Sequence, residues 1–265
     1  MPYAEQNSTR RAALITGASV GIGLEFARIF AREGYNLVLA ARSGDKLRLL
    51  AAELQKTHGT QSLILPTDLS DPGASAYLFD QTTRAGIQLD ALVNNAGFGQ
   101  YGMFADNDLE ECLRQIQVNV TTLTHLTRLY LPGMIARRSG RILNVASTAA
   151  FQPGPLMAVY FATKAYVLHF SEALSNELKG TGVTVTCLCP GATATEFHKR
   201  ANASAMKLLK FGSMDAATVA EDGYRAMVAG KTVEISGLKN WILAQSVRLS
   251  PRGMATAIAR KIQEE

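Results

Sequence analysis

The chain has 265 residues, of which 47% are hydrophobic and 18% charged, enough apolar material for a substantial core in one domain. No stretch approaches the roughly 18 uninterrupted apolar residues that span a bilayer, and the polar start, Met1–Arg11, has no apolar signal core. The expectation is a cytoplasmic protein without an integral membrane segment. The net charge of +5 comes from dispersed Lys and Arg rather than a dense stripe, which argues against a nucleic-acid partner.

The first expected strand, Ala12–Thr16, runs into Thr16-Gly17-Ala18-Ser19-Val20-Gly21-Ile22-Gly23 and then a helix, Gly21–Glu33. Glycines at such a strand-to-helix junction permit a tight turn and let the backbone approach a pyrophosphate at the helix N-terminus. The spacing is GxxxGxG rather than the GxGxxG of the usual dinucleotide fingerprint. A second strand, Asn36–Ala41, ends in Arg42-Ser43. A site for NAD places a carboxylate at this edge to accept from the ribose 2′-hydroxyl. Here Ala41 stands instead, and the Arg42 guanidinium beside Ser43 can grip a 2′-phosphate while stacking on adenine. The bland alternative is a surface arginine at a strand end.

A helix over Asp45–His58 leads to the third strand, Ser62–Pro66, followed by Asp68-Leu69. The next helix, Pro72–Ala85, opens on Ser70-Asp71-Pro72, a capping residue ahead of a proline suited to the first turn. The fourth strand, Ala91–Asn94, passes into Asn94-Asn95-Ala96-Gly97, and an amphipathic stretch, Leu109–Leu131, carries Asn119. Strand five, Arg141–Ala146, ends in Ser147. A helix over Ala158–Lys179 then brings Tyr160 and Lys164 to one face, because residues i and i+4 are neighbours. A cation about 4 Å from a phenol contributes roughly 4 kcal/mol at an effective dielectric of 20, so Lys164 is expected to lower the Tyr160 pKa. The sixth strand, Val183–Leu188, exits through Pro190-Gly191 to Thr193. After it come a helical insertion at about 195–231, a seventh strand, Thr232–Ile235, and a tail around Trp241-Ile242-Leu243 that is assigned to no element. That tail is compatible with an interface or with contact to a membrane surface.

Repeated βα units with near-continuous apolar strands predict an α/β fold, a Rossmann-type doubly wound parallel sheet of about seven strands flanked by helices. Three cysteines, Cys112, Cys187 and Cys189, are expected to be reduced, since a disulfide between neighbours i and i+2 on a strand is strained. Four scattered histidines give no metal site, and no metal is expected.

These residues resemble the short-chain dehydrogenase/reductase (SDR) family, whose TGxxxGIG motif matches residues 16–23 in full and whose NNAG element matches residues 94–97. Ser147, Tyr160 and Lys164 match the family triad, and Asn119 its tetrad asparagine. The resemblance implies an oxidoreductase moving a hydride between NADP(H) and a carbonyl or secondary alcohol, with Tyr160 as general acid or base, Ser147 on the carbonyl oxygen and Lys164 also on the nicotinamide ribose. It further implies that Gly17, Ser19, Val20, Gly21, Ile22, Gly23, Arg42, Ser43, Asp68, Leu69, Asn94, Ala96, Gly97, Tyr160 and Lys164 bind cofactor. Pro190, Gly191 and Thr193 join them near the nicotinamide. Family members are commonly homodimers or homotetramers. An NAD-linked dehydrogenase working oxidatively and a non-catalytic dinucleotide sensor are the alternatives; the sensor reading is weakened because all four catalytic positions are kept. A serine hydrolase is excluded, as Ser147 sits in Val145-Ala146-Ser147-Thr148-Ala149 without a GxSxG elbow. Phe197, Met206, Leu208, Leu209, Phe211 and Met214 suggest an apolar lid and a hydrophobic ketone, although the same side chains at helical spacing also pack on cores.

Overall fold

The computed structural model describes residues 10–195 and 213–264. Strands β1 (Ala12–Thr16), β2 (Asn36–Ala41), β3 (Ser62–Pro66), β4 (Ala91–Asn94), β5 (Gly140–Val145), β6 (Val183–Cys189) and β7 (Val233–Ile235) form one sheet in the order β3-β2-β1-β4-β5-β6-β7. Every pairing is parallel. All residues of β1 and β2 are buried, as a sheet covered on both faces requires. The expected fold class is therefore correct. Strand ends differ from the sequence reading by one residue at β5, β6 and β7.

Helices α1 (Gly21–Arg32), α2 (Gly44–His58) and α7 (Ala216–Val228) pack on one face, with Phe26, Phe30, Val219 and Tyr224 in a shared core. The other face carries α3 (Ala74–Arg84), α5 (Leu123–Ala136) and α6 (Ala158–Glu177), joined through Leu78, Leu126, Tyr130 and Leu174. Of the insertion expected at about 195–231, residues 196–212 lie outside the described residues, and Phe197, Met206, Leu208, Leu209 and Phe211 with them. Its second half is α7, whose buried side is part of the core.

Helix α3 starts two residues later than expected. The Asp71 carboxylate accepts from the Gly73 amide at 2.7 Å and its carbonyl accepts from the Ala74 amide at 3.0 Å. These bonds close a turn across Pro72 before the helix begins. The stretch read as one amphipathic helix is α4 (Leu109–Ile116), a π-helical segment Gln117–Thr122, and then α5. Helices α8 (Leu238–Leu249) and α9 (Arg252–Gln263) follow β7 and place the tail that the sequence left unassigned. Among the described residues no helix is long and apolar enough to cross a membrane.

The strand order turns at β1, which has β2 on one side and β4 on the other. The crossovers leave in opposite directions there, so their loops part and a crevice opens at the carboxyl ends of the two strands.

Candidate active site

A cleft of about 1470 Å³ opens at that crevice, beyond the roughly 300–1,000 Å³ typical of a site for one small ligand. At one end lie Gly17, Ser19, Val20, Gly21 and Ile22. Gly17 (φ +67°) and Gly21 (φ +59°) are left-handed, a conformation that a side chain disfavours. Val20 caps α1 without a side-chain hydrogen bond, so the first amides of the helix have no capping oxygen and face the cleft. Gly23 serves differently and does not line the cleft. A methyl there would collide with the Gly17 carbonyl oxygen and the Asn95 amide. Asn95 itself ties the loop to β4, its Nδ2 donating to Thr16 O at 2.8 Å, while the Thr16 hydroxyl accepts from the amides of Asn95 and Ala96.

Arg42 and Ser43, both exposed, line the next part of the cleft, with Asp68, Leu69, Ala96 and Gly97 opposite. Burial would raise the Asp68 pKa. The amide and hydroxyl of Ser70, then the charges of Arg42 and Arg114, outweigh burial and hold the carboxyl below its usual value. Asp68 Oδ1 accepts from both Ser70 groups, at 3.0 and 2.7 Å, and Oδ2 lies 3.5 Å from Arg114. Asn94, expected to bind cofactor, does not reach the cleft. Its Nδ2 donates to Thr127 and to Asn144 inside the sheet, because the last residue of β4 points into the core layer.

Ser147, Tyr160 and Lys164 converge on the middle of the cleft. Ser147 caps a 3₁₀ turn, Thr148–Phe151, its Oγ accepting from the Ala149 amide at 3.1 Å, and it also hydrogen-bonds the Tyr160 phenol. Lys164 Nζ donates to Val145 O at 2.8 Å and lies 5.7 Å from the centre of the Tyr160 ring. Burial pushes the phenol up to about 12, against the lowering effect of Ser147. The expected lowering by Lys164 does not appear: the ammonium sits beside the ring, and desolvation of the phenolate is the larger effect. Burial also lowers Lys164 to about 8, against the smaller raising effects of Cys187 and Cys189. Asn119 lies in the π-helical segment and does not line the cleft. Its Nδ2 donates to Phe98 O and Thr163 Oγ1, and its Oδ1 accepts from the Phe98 amide at 3.1 Å. Asn119 thus fixes the loop that carries Gly97, where an added methyl would lie 3.1 Å from Asn119 Oδ1 and 3.3 Å from Lys164 Nζ. Cys187 and Cys189 are free and buried, their sulfurs 3.8 Å apart.

Pro190, Gly191 and Thr193 line the cleft beyond Ser147. Pro190 O accepts from the Thr148 amide at 2.8 Å, and Thr193 bridges to Met214. The far wall comes from α8 and α9, with Leu243, Val247, Ile258 and Ile262 facing the cavity. Asn240 anchors α8 there, packing on Gly191 and donating to Ser236 O at 2.7 Å. The Tyr101 hydroxyl donates to Gln263 O at 2.9 Å and holds α9 over the site.

A family model described as short chain dehydrogenase matches residues 11–205. The chain belongs to the short-chain dehydrogenase family. This dehydrogenase is 37% identical over 198 residues to a very-long-chain 3-oxoacyl-CoA reductase of Phaeosphaeria nodorum, an alignment covering 73% of the chain and 58% of the relative. The chain spans about three-fifths of the length of the curated relatives it matches. A short-chain dehydrogenase from Sphingobium yanoikuyae, solved in complex with NADPH, has a TM-score of 0.81 at 33% identity, covering 90% of this chain and 94% of that one. A bulky-bulky ketone specific alcohol dehydrogenase from Comamonas testosteroni has a TM-score of 0.77 at 29% identity, covering 91% and 93%. The matched family is one of dehydrogenases, and the Sphingobium yanoikuyae structure holds NADPH, a nicotinamide dinucleotide.

The cleft fits that group. The glycine-lined turn, uncapped helix start, half-buried Ala96 and exposed Gly97 form a cradle that a Cβ at Gly17 or Gly97 would crowd. The dehydrogenase also uses residues the sequence reading passed over. Asn95 was visible inside its motif, but the roles of Asn240 and Tyr101 depend on where α8 and α9 dock, and no local pattern announces that.

Proposed function

We propose that this dehydrogenase reduces a ketone carbonyl within a long apolar molecule, of the 3-oxoacyl thioester class, using NADPH. The observation that carries the reading is the meeting of the Ser147 and Tyr160 hydroxyls at the junction of a glycine-lined end and an apolar end of one cleft. Bound at the glycine-lined end, the reduced dinucleotide supplies the hydride. Gly17 to Ile22 hold its pyrophosphate, and Lys164, buried beside Gly97, holds hydroxyls of the adjoining ribose. Ser147 and Tyr160 donate to the substrate carbonyl oxygen and stabilise the charge that develops there. Tyr160 then delivers its proton to that oxygen.

The reductive direction rests on the names of the similar reductases. Burial holds the Tyr160 phenol in its protonated form, the form that donates to a ketone oxygen. The phosphate preference rests on Arg42. No carboxylate stands at Ala41, and the oxygens of Asp68 are engaged by Ser70 and Arg114. Support for the substrate class comes from the Leu243, Val247, Ile258 and Ile262 wall and from the names of the similar reductases.

Fluorescence titration of NADPH and NADH against the purified protein and an Arg42→Ala variant tests the cofactor assignment. NADPH is expected to bind about tenfold tighter, or about 1.4 kcal/mol, with the preference lost in the variant. Equal affinity for both in the unsubstituted protein contradicts the role of Arg42.

A further inference from the structure

Helices α8 and α9 present an exposed apolar surface that meets the cleft at Leu238 and Ile258. Leu238, Ile242 and Leu249 recur at i, i+4 and i+11, within about 40° of one another on a helix of 3.6 residues per turn. They are exposed by 74%, 53% and 91%, and Trp241 beside them by 50%. On α9, Met254 and Ile258 are both half exposed one turn apart. Between Leu238 and Gln263 the sequence has five cations, Lys239, Arg248, Arg252, Arg260 and Lys261, and no carboxylate; of the five, Arg260 pairs with Glu264 at 3.0 Å. Contiguous exposed apolar surface marks an interaction site. Its occupant must accept tryptophan, leucine and isoleucine while supplying negative charge.

We propose that α8 and α9 dock the protein on an anionic lipid surface, with Trp241, Ile242 and Leu249 entering the headgroup–acyl boundary. A helix with bulky apolar residues on one side and Lys and Arg at its margins lies in the interface plane, its cations among the phosphates. At 100° per residue, Arg248 and Lys239 fall on opposite margins of the Leu238–Ile242–Leu249 stripe, where long side chains reach the headgroups. A second copy is a poor occupant. A two-fold contact would turn the face onto itself and oppose Lys239, Arg248, Arg252 and Lys261, while the nearby Glu264 is already paired with Arg260. Leu238, Leu243 and Ile258 are both exposed and cleft-lining, so the mouth of the cleft opens at the rim of the docked surface. The docking rests on these two helices and holds whatever the substrate is.

Trp241 is the single tryptophan of the chain, so intrinsic fluorescence reports on this face alone. The full chain is mixed with vesicles of phosphatidylcholine, or of phosphatidylcholine and phosphatidylglycerol in equal parts, and followed by emission and co-sedimentation. The expected result is a blue shift and sedimentation with the anionic vesicles, weakened by salt. In the Ile242→Glu/Leu249→Glu double variant, partitioning should fall at least tenfold while NADPH affinity is unchanged, since neither residue lines the cleft. No shift with either vesicle overturns the proposal, as does equal binding to the neutral vesicles. A blue shift without lipid that grows with protein concentration overturns it in favour of a second copy.

Discussion

At the cofactor end of the cleft, Gly17 and Gly21 adopt positive φ, Gly23 touches Gly17 and Asn95, and Asn95 bonds back to Thr16. At the substrate end, Leu243, Val247, Ile258 and Ile262 come from two helices that follow the last strand. The first wall is made of backbone, and only a few residues permit its geometry. The second is made of apolar side chains, and many sequences of similar volume would serve. A phosphate-binding turn therefore leaves a spelling in the sequence, and an apolar wall leaves only a composition.

The sharpest way to break the comparison is at the junction. Tyr160→Phe removes the proton donor but not the cradle, so kcat is expected to fall by about 10²–10⁴ while NADPH affinity stays within about twofold in titration. A large loss of affinity instead would mean that Tyr160 is mainly a binding residue. Gly23→Ala tests the backbone wall. The added methyl meets the Gly17 carbonyl oxygen and the Asn95 amide, and overpacking of this kind costs about 1–3 kcal/mol, to be read in urea unfolding together with weakened NADPH binding. Unchanged stability and affinity would show that the turn has slack.

These two sites also show what the sequence could convey. The fold class and the glycine turn were legible from the strand–turn–helix pattern, and the shared face of Tyr160 and Lys164 from i, i+4 spacing; that Ser147 joins them was implied only by the family resemblance. Asn94 was misplaced because neighbours on a strand point to opposite sides, and the motif does not say which asparagine faces the cleft. The Tyr160 pKa was misjudged because sequence gives the charge of Lys164 but not the burial of the phenol, which is the larger effect. Helices α8 and α9 went unread because their docking depends on long-range contacts such as Tyr101 to Gln263. Of the apolar lid read from the sequence, only Met214 lies among the described residues, and it lines the cleft.

A smaller effect sharpens the account at Lys164, lowered by burial to about 8 from an ordinary 10.5. Between those values the unfolded chain binds the extra proton, so this group adds stability as pH rises through the window and adds none below it. Cofactor binding should move the other way. A neutral amine makes a weaker hydrogen bond to a ribose hydroxyl than an ammonium, so NADPH affinity should weaken about fivefold from pH 7 to pH 10. Lys164→Met should abolish that pH dependence. Titrations that are flat with pH in the unsubstituted protein would separate Lys164 from the ribose.

The central claim joins the two ends: a ketone held by Ser147 and Tyr160 with its apolar remainder along α8 and α9. Rates of NADPH oxidation with 3-oxoacyl thioesters of increasing chain length test it most directly. Each buried CH2 contributes up to about 0.8 kcal/mol, so kcat/KM should climb by up to about fourfold per carbon until the cleft is filled, then level off. A profile flat with chain length, or turnover only of small polar sugars and polyols, would contradict it.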